Sequence, residues 1–187
     1  LREGNQESLW IQPASGDSGG AIGAALAAYY LHLDQPRKSV SAEDSMKGGY
    51  LGPEFSHEKI IKSLEEVSAK FEILEEVDLI RTCVEILKEG KALGWFQGRM
   101  EFGPRALGAR SILGDPRSPQ MQSILNQKIK FRESFRPFAP SVLREDVADW
   151  FDMDDDSPYM LLVADVAKEL QRSMTNEQKQ LFGIEKL

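Results

Sequence analysis

Apolar residues recur every three to four positions in three stretches of the chain, which is the spacing of one face of an α-helix. These stretches predict helices at Ala21–Leu33, Ser56–Lys70 and Val77–Glu89, the second with Ser56 as its N-cap and the third ended by Gly90. The apolar positions expected to face the core from the second and third helices are Ile60, Ile61, Leu64, Val67, Ile80, Val84 and Leu87.

Short apolar runs bounded by turn residues predict β-strands. The predicted strands are Leu9–Ile11, Phe71–Leu74, Lys91–Gln97, Ser111–Leu113, Ser141–Leu143 and Tyr159–Asp165. Two further helices are predicted at Ser118–Ile129, with Ser118 as N-cap, and at Glu145–Phe151. Because strands alternate with helices, the expected fold class is α/β.

A polar stretch, Asp34–Gly49, predicts a linker, so we expect a domain boundary between residues 48 and 49. Before it, the glycine-rich loop Pro13–Gly20 leads into the first helix, with Asp17 or Ser18 as the predicted N-cap. A glycine-rich loop at a helix N-terminus binds anions in many folds, and a plain capping role for Asp17 is the alternative.

The composition of the 187 residues is that of a globular protein with a net charge of −7. The longest apolar run is too short to span a bilayer, and no basic-then-apolar leader is present. Cys83 is the only cysteine, so a disulfide within one chain is excluded. We therefore expect a cytoplasmic protein without a membrane partner. Because the chain lacks an initiator Met, we expect it to be a piece of a longer protein.

Positive charge is concentrated in one segment, Gly94–Leu143, which we call the basic segment. It holds eight basic residues against the three acids Glu101, Asp115 and Glu133, a net charge of +5 in an acidic chain. A compact cationic segment fits a small anion such as a phosphate better than a long polyanion. The alternative for each cation is an ion pair with one of the three acids, or plain solvation. The basic residues are Arg99, Arg105, Arg110, Arg117, Lys128, Lys130, Arg132 and Arg136.

Within this segment, residues Glu101–Leu113 (EFGPRALGARSIL) resemble the central motif of the NodU/CmcH carbamoyltransferase family. The resemblance continues downstream and upstream of this motif. The further matching residues are Asp115–Arg117, Leu125–Asn126, Ile129–Lys130, Arg132–Glu133, Phe135–Leu143 and, upstream, Gly16–Leu26. It extends over about residues 8–166 of the chain.

The resemblance implies two domains. Residues 1–48 would be the end of an actin-like ATPase domain with a linker, and residues 49–187 would be most of a YrdC-like domain with a mixed-sheet α/β fold. Because the family continues past both ends of this chain, we expect a fragment that is incomplete for full turnover.

The family's reaction implies the function of an ATP-dependent O-carbamoyltransferase. The YrdC-like domain forms carbamoyl adenylate from carbamoyl phosphate and ATP, with Mg²⁺ expected alongside ATP. A hydroxyl of a small-molecule acceptor then attacks the carbamoyl group in the actin-like domain, and AMP leaves. The sequence identifies neither the acceptor nor the oligomeric state, although the alanine-rich face of Ala21–Leu33 could support a homo-oligomer.

The resemblance also assigns roles to individual residues. The expected catalytic residues are Arg105, Lys130 and Arg136. The residues expected to bind substrate phosphates are Arg99, Arg110, Ser111, Asn126 and Arg132. Cations reduce the repulsion between the phosphates of the two substrates, and fixed donors stabilise the charge that develops during adenylation.

Asp17 acquires a second interpretation from the resemblance. It matches an aspartate of a Gly-Asp-x-Gly segment that ligates iron or another divalent metal in the complete enzyme. The partner ligands, including a His pair, are expected upstream of this chain.

A YrdC-like RNA- or nucleotide-binding module linked to tRNA modification is the alternative function. The net charge of −7 and the lack of a basic stripe beyond the basic segment argue against nucleic acid as a partner. A non-catalytic interaction module, in which the cations form surface ion pairs, is the third hypothesis.

Overall fold

The structure is a computed structural model that describes residues 5, 10–37 and 44–181, and the structural statements below refer to these residues. Its helices and strands are α1 (Asp17–Ala27), α2 (His57–Glu66), α3 (Glu76–Lys88), β1 (Leu93–Phe96), β2 (Arg110–Leu113), α4 (Met121–Ile124), α5 (Val147–Trp150) and α6 (Asn176–Gln180). Helix α1 continues as a π-helix through Ala28–His32, and α4 does so through Leu125–Lys130. Short 3₁₀ turns lie at Lys47–Gly49, Arg144–Asp146 and Lys168–Leu170.

The two strands form a small antiparallel sheet, and the expected α/β class is confirmed in this coarse form. Beyond the sheet, the Gln97 N–H donates to the carbonyl oxygen of Ala109 at 3.0 Å and extends the pairing. Both strands lie where the apolar pattern placed them. In the described part of the chain this is the only sheet, so the predicted larger mixed sheet is not present there.

Three of the predicted strands are wrong, because Phe71–Leu74, Ser141–Leu143 and Tyr159–Asp165 contain no strand. The last of these segments is followed by an isolated antiparallel bridge between Phe151 and Val166. A strand needs a backbone partner, which a short apolar run does not specify by itself. Of the strand predicted at residues 9–11, Leu9 lies outside the described residues and the remaining two residues are not in a strand.

Helices α2 and α3 confirm the periodicity, but the predicted burial of their apolar faces is wrong. The Ser56 hydroxyl caps α2 by accepting from the Lys59 N–H at 3.3 Å. After α3, Gly90 has φ +73° and donates its N–H to Leu87 at 2.9 Å. The side chains of Ile80 and Val84 nevertheless remain about half exposed. Periodicity identifies an apolar face, but it does not supply the element that covers it.

The starts of α1 and α4 differ from the predicted ones. Gly16 is the N-cap of α1, and Asp17 is the first helical residue, with no side-chain capping bond. Gln120 is the N-cap of α4, while Ser118 only accepts the Met121 N–H at its backbone carbonyl. An acidic residue in the first turn still suits the positive end of the helix dipole, so Asp17 remains favourable there.

The chain divides into two units, and both are discontinuous in sequence. Unit 1 comprises Leu1–Glu72, Trp95–Ser111 and Pro158–Leu161, and unit 2 comprises Ile73–Gly94, Ile112–Ser157 and Leu162–Leu187. The buried apolar side chains are Ala14 and Ala109 in unit 1, and Met121, Leu125 and Val147 in unit 2. The basic segment is thus divided between the units after Ser111.

Tyr159 joins distant stretches of unit 1. Its hydroxyl accepts the Gly48 N–H at 3.0 Å, across 111 residues of sequence, and donates to the Asp44 carboxylate. Helices of the described residues are all too short or too polar to cross a membrane.

Candidate active site

Four of the eight cations of the basic segment form ion pairs with carboxylates. The pairs are Arg99–Glu54 at 2.8 Å, Arg110–Glu101 at 2.8 Å, Arg117–Asp115 at 2.7 Å and Arg136–Glu133 at 3.2 Å. The alternative that the three acids of the segment neutralise cations is therefore confirmed for one arginine each. Within the described chain the other four cations form no ion pair, and they are Arg105, Lys128, Lys130 and Arg132.

In unit 1 the Glu101 carboxylate is the centre of a hydrogen-bonded group that we call the Glu101 cluster, formed with Leu107, Ala109 and Arg110. One carboxylate oxygen accepts the N–H groups of Leu107 at 2.6 Å and Ala109 at 2.8 Å. The other accepts Nε of Arg110 at 2.8 Å. The glutamate side chain is completely buried, so these donors replace water around the charge.

These contacts determine the ionisation of Glu101. Burial by itself would raise the pKa of the Glu101 carboxyl, but the Arg110 guanidinium and the two backbone N–H groups hold the pKa at about 2. The carboxylate is therefore charged at neutral pH and neutralises Arg110. Nη2 of Arg110 also donates to the carbonyl oxygens of Glu101 and Gly103, which uses up much of its donor capacity inside the unit.

The loop between Glu101 and Arg110 carries Arg105 on its surface. The loop turns back at Gly108, whose φ of +119° is unfavourable for any residue with a side chain. The Gly108 N–H donates to the Ser111 hydroxyl at 3.1 Å, and the Tyr50 hydroxyl donates to the Leu107 carbonyl at 2.6 Å. Arg105 is exposed and has no ion pair in the described chain, so its guanidinium is free to meet a ligand.

In unit 2 the centre is an amide, Asn126, which is completely buried at the start of the π-helical continuation of α4. Its Nδ2 donates to the carbonyl oxygens of Ser134 at 3.1 Å and Arg136 at 2.8 Å, and its Oδ1 accepts Nε of Arg132 at 2.6 Å. Gln122, one turn earlier, donates to the carbonyls of Phe135 and Arg136. We call Gln122, Asn126, Arg132, Ser134, Phe135 and Arg136 the Asn126 cluster.

The Arg132 side chain is held on two sides. Asn126 accepts its Nε, and the Phe138 ring lies under the guanidinium, with its centroid 4.9 Å from the central carbon. This distance is typical of a cation–π contact. Nη1 and Nη2 make no hydrogen bond to the described residues, so one edge of the planar group remains open.

The remaining predicted residues of unit 2 lie on the exposed side of the same segment. Lys130 ends the π-helical turn without an ion pair, and the chain then passes through Phe131 in the left-handed conformation, with φ +50°. Arg136 forms its ion pair with Glu133 in a half-exposed position. Hydrogen bonds from its own backbone and from Arg136, with a weaker effect of the Arg132 charge, lower the pKa of Glu133.

The predicted site residues therefore fall into two groups. Unit 1 contains Arg99, Arg105, Arg110 and Ser111, and unit 2 contains Asn126, Lys130, Arg132 and Arg136. Arg99 donates to the Gly52 carbonyl and to Glu54, away from the Glu101 cluster. Sequence reasoning missed the organising role of Glu101, which it counted as one acid among three, and it missed Gln122 and Phe138.

Asp17, the predicted metal ligand, lies exposed in the first turn of α1. The described residues contain no group of three or more His, Cys, Asp or Glu side chains that could hold a metal ion. The residues present therefore supply one carboxylate and do not make a metal centre by themselves.

Comparison with known proteins gives a family match over half of the chain. Residues 84–179 match the family model described as carbamoyltransferase C-terminus. The chain is 57% identical over 189 residues to an uncharacterized protein of Synechocystis, covering all of this chain and 31% of that protein. It is 37% identical over 170 residues to nodulation protein NolO of Bradyrhizobium diazoefficiens, covering 89% of this chain and 30% of the relative. It is 40% identical over 164 residues to nodulation protein U of Rhizobium tropici, covering 86% of this chain and 25% of that protein. The chain thus spans less than a third of the length of these curated relatives.

Proposed function

The chain belongs to the NodU-type carbamoyltransferase family, and we propose on this basis that it is part of an ATP-dependent O-carbamoyltransferase. The observation that carries the proposal is that Arg105, Lys130 and Arg132 of the basic segment lie within the matched residues 84–179 and form no ion pair in the described chain. Free cations within a carbamoyltransferase segment are suited to bind the phosphates of ATP and carbamoyl phosphate.

We propose the domain organisation implied by the sequence motif. Residues 1–48 end an actin-like domain, residues 49–187 belong to a YrdC-like domain, and the remaining parts of the enzyme lie outside this chain. The chain covers less than a third of the length of its curated relatives, which supports this proposal.

The proposed reaction has two main steps, and the first of them combines a hydrolysis with an adenylation. Water first converts carbamoyl phosphate to carbamate and inorganic phosphate; a carbamate oxygen then attacks the α-phosphorus of ATP, the α–β phosphoanhydride bond breaks, and pyrophosphate leaves. The product is carbamoyl adenylate. In the second step an acceptor hydroxyl attacks the carbamoyl carbon, loses its proton, and AMP leaves.

The cations of this chain contribute to the first step. Negative charge grows on the pyrophosphate as the anhydride bond breaks, and fixed positive charges stabilise it more than water would. Arg105 and Lys130 are exposed cations without an ion pair in the described chain, and they are the proposed catalytic cations. Arg136 joins them by exchanging its half-exposed ion pair with Glu133 for a phosphate, since such surface pairs contribute little stability.

The other predicted residues have graded roles in this proposal. The ion pair of Arg99 with Glu54 is about half exposed and can exchange for a phosphate in the same way. The Ser111 hydroxyl accepts one hydrogen bond from Gly108 and keeps its own hydrogen for a phosphate oxygen. Arg110 has most of its donors occupied by the Glu101 cluster and would act by holding the loop.

Magnesium would enter with ATP, because Mg²⁺ is commonly bound through substrate phosphates with few protein ligands. Asp17 would provide one ligand of a separate divalent metal site in the complete enzyme.

The test is calorimetric titration of the chain with ATP and with carbamoyl phosphate in the presence of Mg²⁺. We expect binding in the parent and a loss of affinity of about 10- to 100-fold in Arg105→Ala and in Lys130→Ala, the effect of removing one charged hydrogen bond. Lys128→Ala is the matched control, because it removes the same charge from the same helical segment at a position without a predicted role.

If all three variants bind both ligands as the parent does, the basic segment is not the phosphate site and the proposal fails for this chain. Equal losses in all three variants would instead indicate a general charge effect. The RNA-binding alternative is not favoured by the comparisons, and a folded parent that binds RNA but neither small ligand would restore it.

A further inference from the structure

Five hydrogen bonds join Asn126 to the six residues that follow Lys130. Its side chain binds Arg132, Ser134 and Arg136, as described above. Its backbone carbonyl also accepts the N–H groups of Phe131 and of Arg132, the latter at 3.0 Å. Both N–H donors of the amide and its oxygen are bonded to protein groups, and because the side chain is completely buried it is closed to a substrate.

The same contacts determine where Arg132 points. An arginine on a free loop samples many rotamers, and a ligand has to offset the entropy lost when one rotamer is selected. Here the bond from Nε to Asn126 and the Phe138 ring restrict the guanidinium before any ligand arrives. The open edge with Nη1 and Nη2 offers two parallel N–H donors, which match two oxygens of a phosphate.

The charge of Arg132 is also preserved. Its hydrogen-bonding partner is a neutral amide, whereas four other arginines of the basic segment are each paired with a carboxylate. Glu133 is the nearest acid in sequence, but its carboxylate pairs with Arg136. Arg132 therefore combines a fixed orientation with an unneutralised charge.

We propose that Arg132 is a pre-organised receptor for a phosphate group, and that Asn126 and Phe138 are positioning residues that act through it. This inference rests on the proposed function and deepens it, because it moves Asn126 from the predicted phosphate ligands to the residues that orient one. The ligand class is a phosphoanhydride or acyl phosphate that presents two oxygens to the guanidinium edge.

The first experiment compares arginine and lysine at position 132, with inorganic pyrophosphate as the probe and calorimetry of the full 187-residue chain as the measurement. Arg132→Lys keeps the charge but loses the two-donor edge, so we expect the affinity to fall about tenfold. Arg117→Lys is the matched control in the same unit, because Arg117 is paired with Asp115 and its replacement should leave the affinity unchanged.

The second experiment asks whether the positioning residues act through Arg132. Phe138→Leu removes the aromatic face and should lower the affinity for pyrophosphate about threefold. In an Arg132→Gln background the same replacement should have no further effect, because the group it positions is gone. Asn126→Ala should behave in the same way, and Phe138→Leu keeps the test valid if the Asn126 variant does not fold.

The third variant separates positioning from folding. Asn126→Asp keeps an oxygen acceptor for Nε of Arg132 but adds a negative charge beside it, so the folded variant should bind pyrophosphate at least tenfold more weakly. A purely structural Asn126 would leave the affinity of the folded fraction unchanged.

Three results would overturn the inference: no binding of pyrophosphate by the parent, equal binding by Arg132→Lys, or the same loss from Phe138→Leu in both backgrounds. A failure of the proposed function looks different. In that case pyrophosphate binding depends on Arg132 as described, but carbamoyl phosphate neither binds nor yields carbamoyl adenylate with ATP.

Discussion

The Glu101 cluster and the Asn126 cluster use the same device with opposite chemistry. In each cluster, one buried polar side chain forms hydrogen bonds with backbone groups of the loop that follows it. The same side chain also accepts a hydrogen bond from Nε of one arginine. The carboxylate of Glu101 can only accept hydrogen bonds, so it binds N–H groups of its loop. The amide of Asn126 can also donate hydrogen bonds, so it binds carbonyl groups of its loop.

The difference decides what happens to each arginine. Glu101 carries a full negative charge and cancels the charge of Arg110, whereas Asn126 is neutral and leaves the charge of Arg132 intact. The first cluster is therefore suited to hold a loop together, and the second is suited to hold a loop and to present a cation. The charge of the central residue, more than the presence of an arginine, predicts where an anion can bind.

The largest expected effect is on the stability of unit 1. Replacing Glu101 by Ala leaves a partly buried Arg110 without its counterion and two N–H groups without an acceptor. Breaking a buried ion pair in this way costs about 3–5 kcal/mol, measurable by urea denaturation. Glu133→Ala is the control, because its ion pair is about half exposed and its loss should cost less than about 1 kcal/mol. Equal losses in the two variants would remove the distinction between buried and exposed pairs.

Low pH should reduce the stability that the Glu101 cluster provides, but not the stability that the Asn126 cluster provides. The pKa of Glu101 is about 2 in the folded chain against an ordinary value of 4.5, so its stabilisation is present above about pH 5 and is lost as the pH falls toward 2. The difference amounts to about 3 kcal/mol at most. Denaturation of the parent and of Glu101→Gln across this range should show a shallower pH dependence in the variant. Asn126→Ala should keep the slope of the parent, since an amide does not titrate, and a changed slope there would contradict the comparison.

The Asn126 cluster should lose less stability than the Glu101 cluster when its centre is removed. Asn126→Ala leaves carbonyl groups and Nε of Arg132 unpaired, but no buried charge loses a counterion. We expect a loss of about 2 kcal/mol in the free energy of unfolding. A loss as large as that of Glu101→Ala would show that hydrogen bonding, and not charge, dominates both clusters.

Gln122 provides the smallest test. Its side-chain amide is partly exposed and donates hydrogen bonds to the carbonyl oxygens of Phe135 at 3.2 Å and Arg136 at 3.3 Å. Gln122→Ala should therefore reduce the stability by about 0.5–1 kcal/mol and leave the affinity for pyrophosphate unchanged. Gln122→Glu should be no better than Ala, because a carboxylate cannot donate to carbonyl oxygens; a rescue by Glu would exclude the donor role.

Local signals in the sequence predicted what local interactions determine. The cap at Ser56 and the end of α3 at Gly90 depend on a few neighbouring residues, and both are confirmed. The strand predicted at Tyr159–Asp165 depends on a distant partner that the pattern does not contain. Its Val163 side chain is 99% exposed, so the apolar character of the segment is not used for burial in the described chain.

The residue types of the candidate site were predictable from the sequence, but the pairs that these residues form were not. The charge count placed the cations and acids in one segment, and the resemblance named Asn126. Neither could show which acid would form an ion pair with which arginine, because the choice depends on the conformation of the loops. Glu101 pairs with Arg110, and Asp115 pairs with Arg117. The acid at the start of a glycine-rich motif, nine residues before its arginine, was the available signal for Glu101.

The contacts of Tyr159 have a consequence for biosynthesis. Unit 1 takes its last residues, Pro158–Leu161, from a stretch that is translated after most of unit 2. While the ribosome is still making the Asn126 cluster, Asp44 and Gly48 have already emerged without the hydroxyl that joins them. Unit 1 therefore cannot be completed until most of unit 2 has been synthesised. A nascent chain stalled before Tyr159 would expose an unfinished unit 1 to chaperones and proteases.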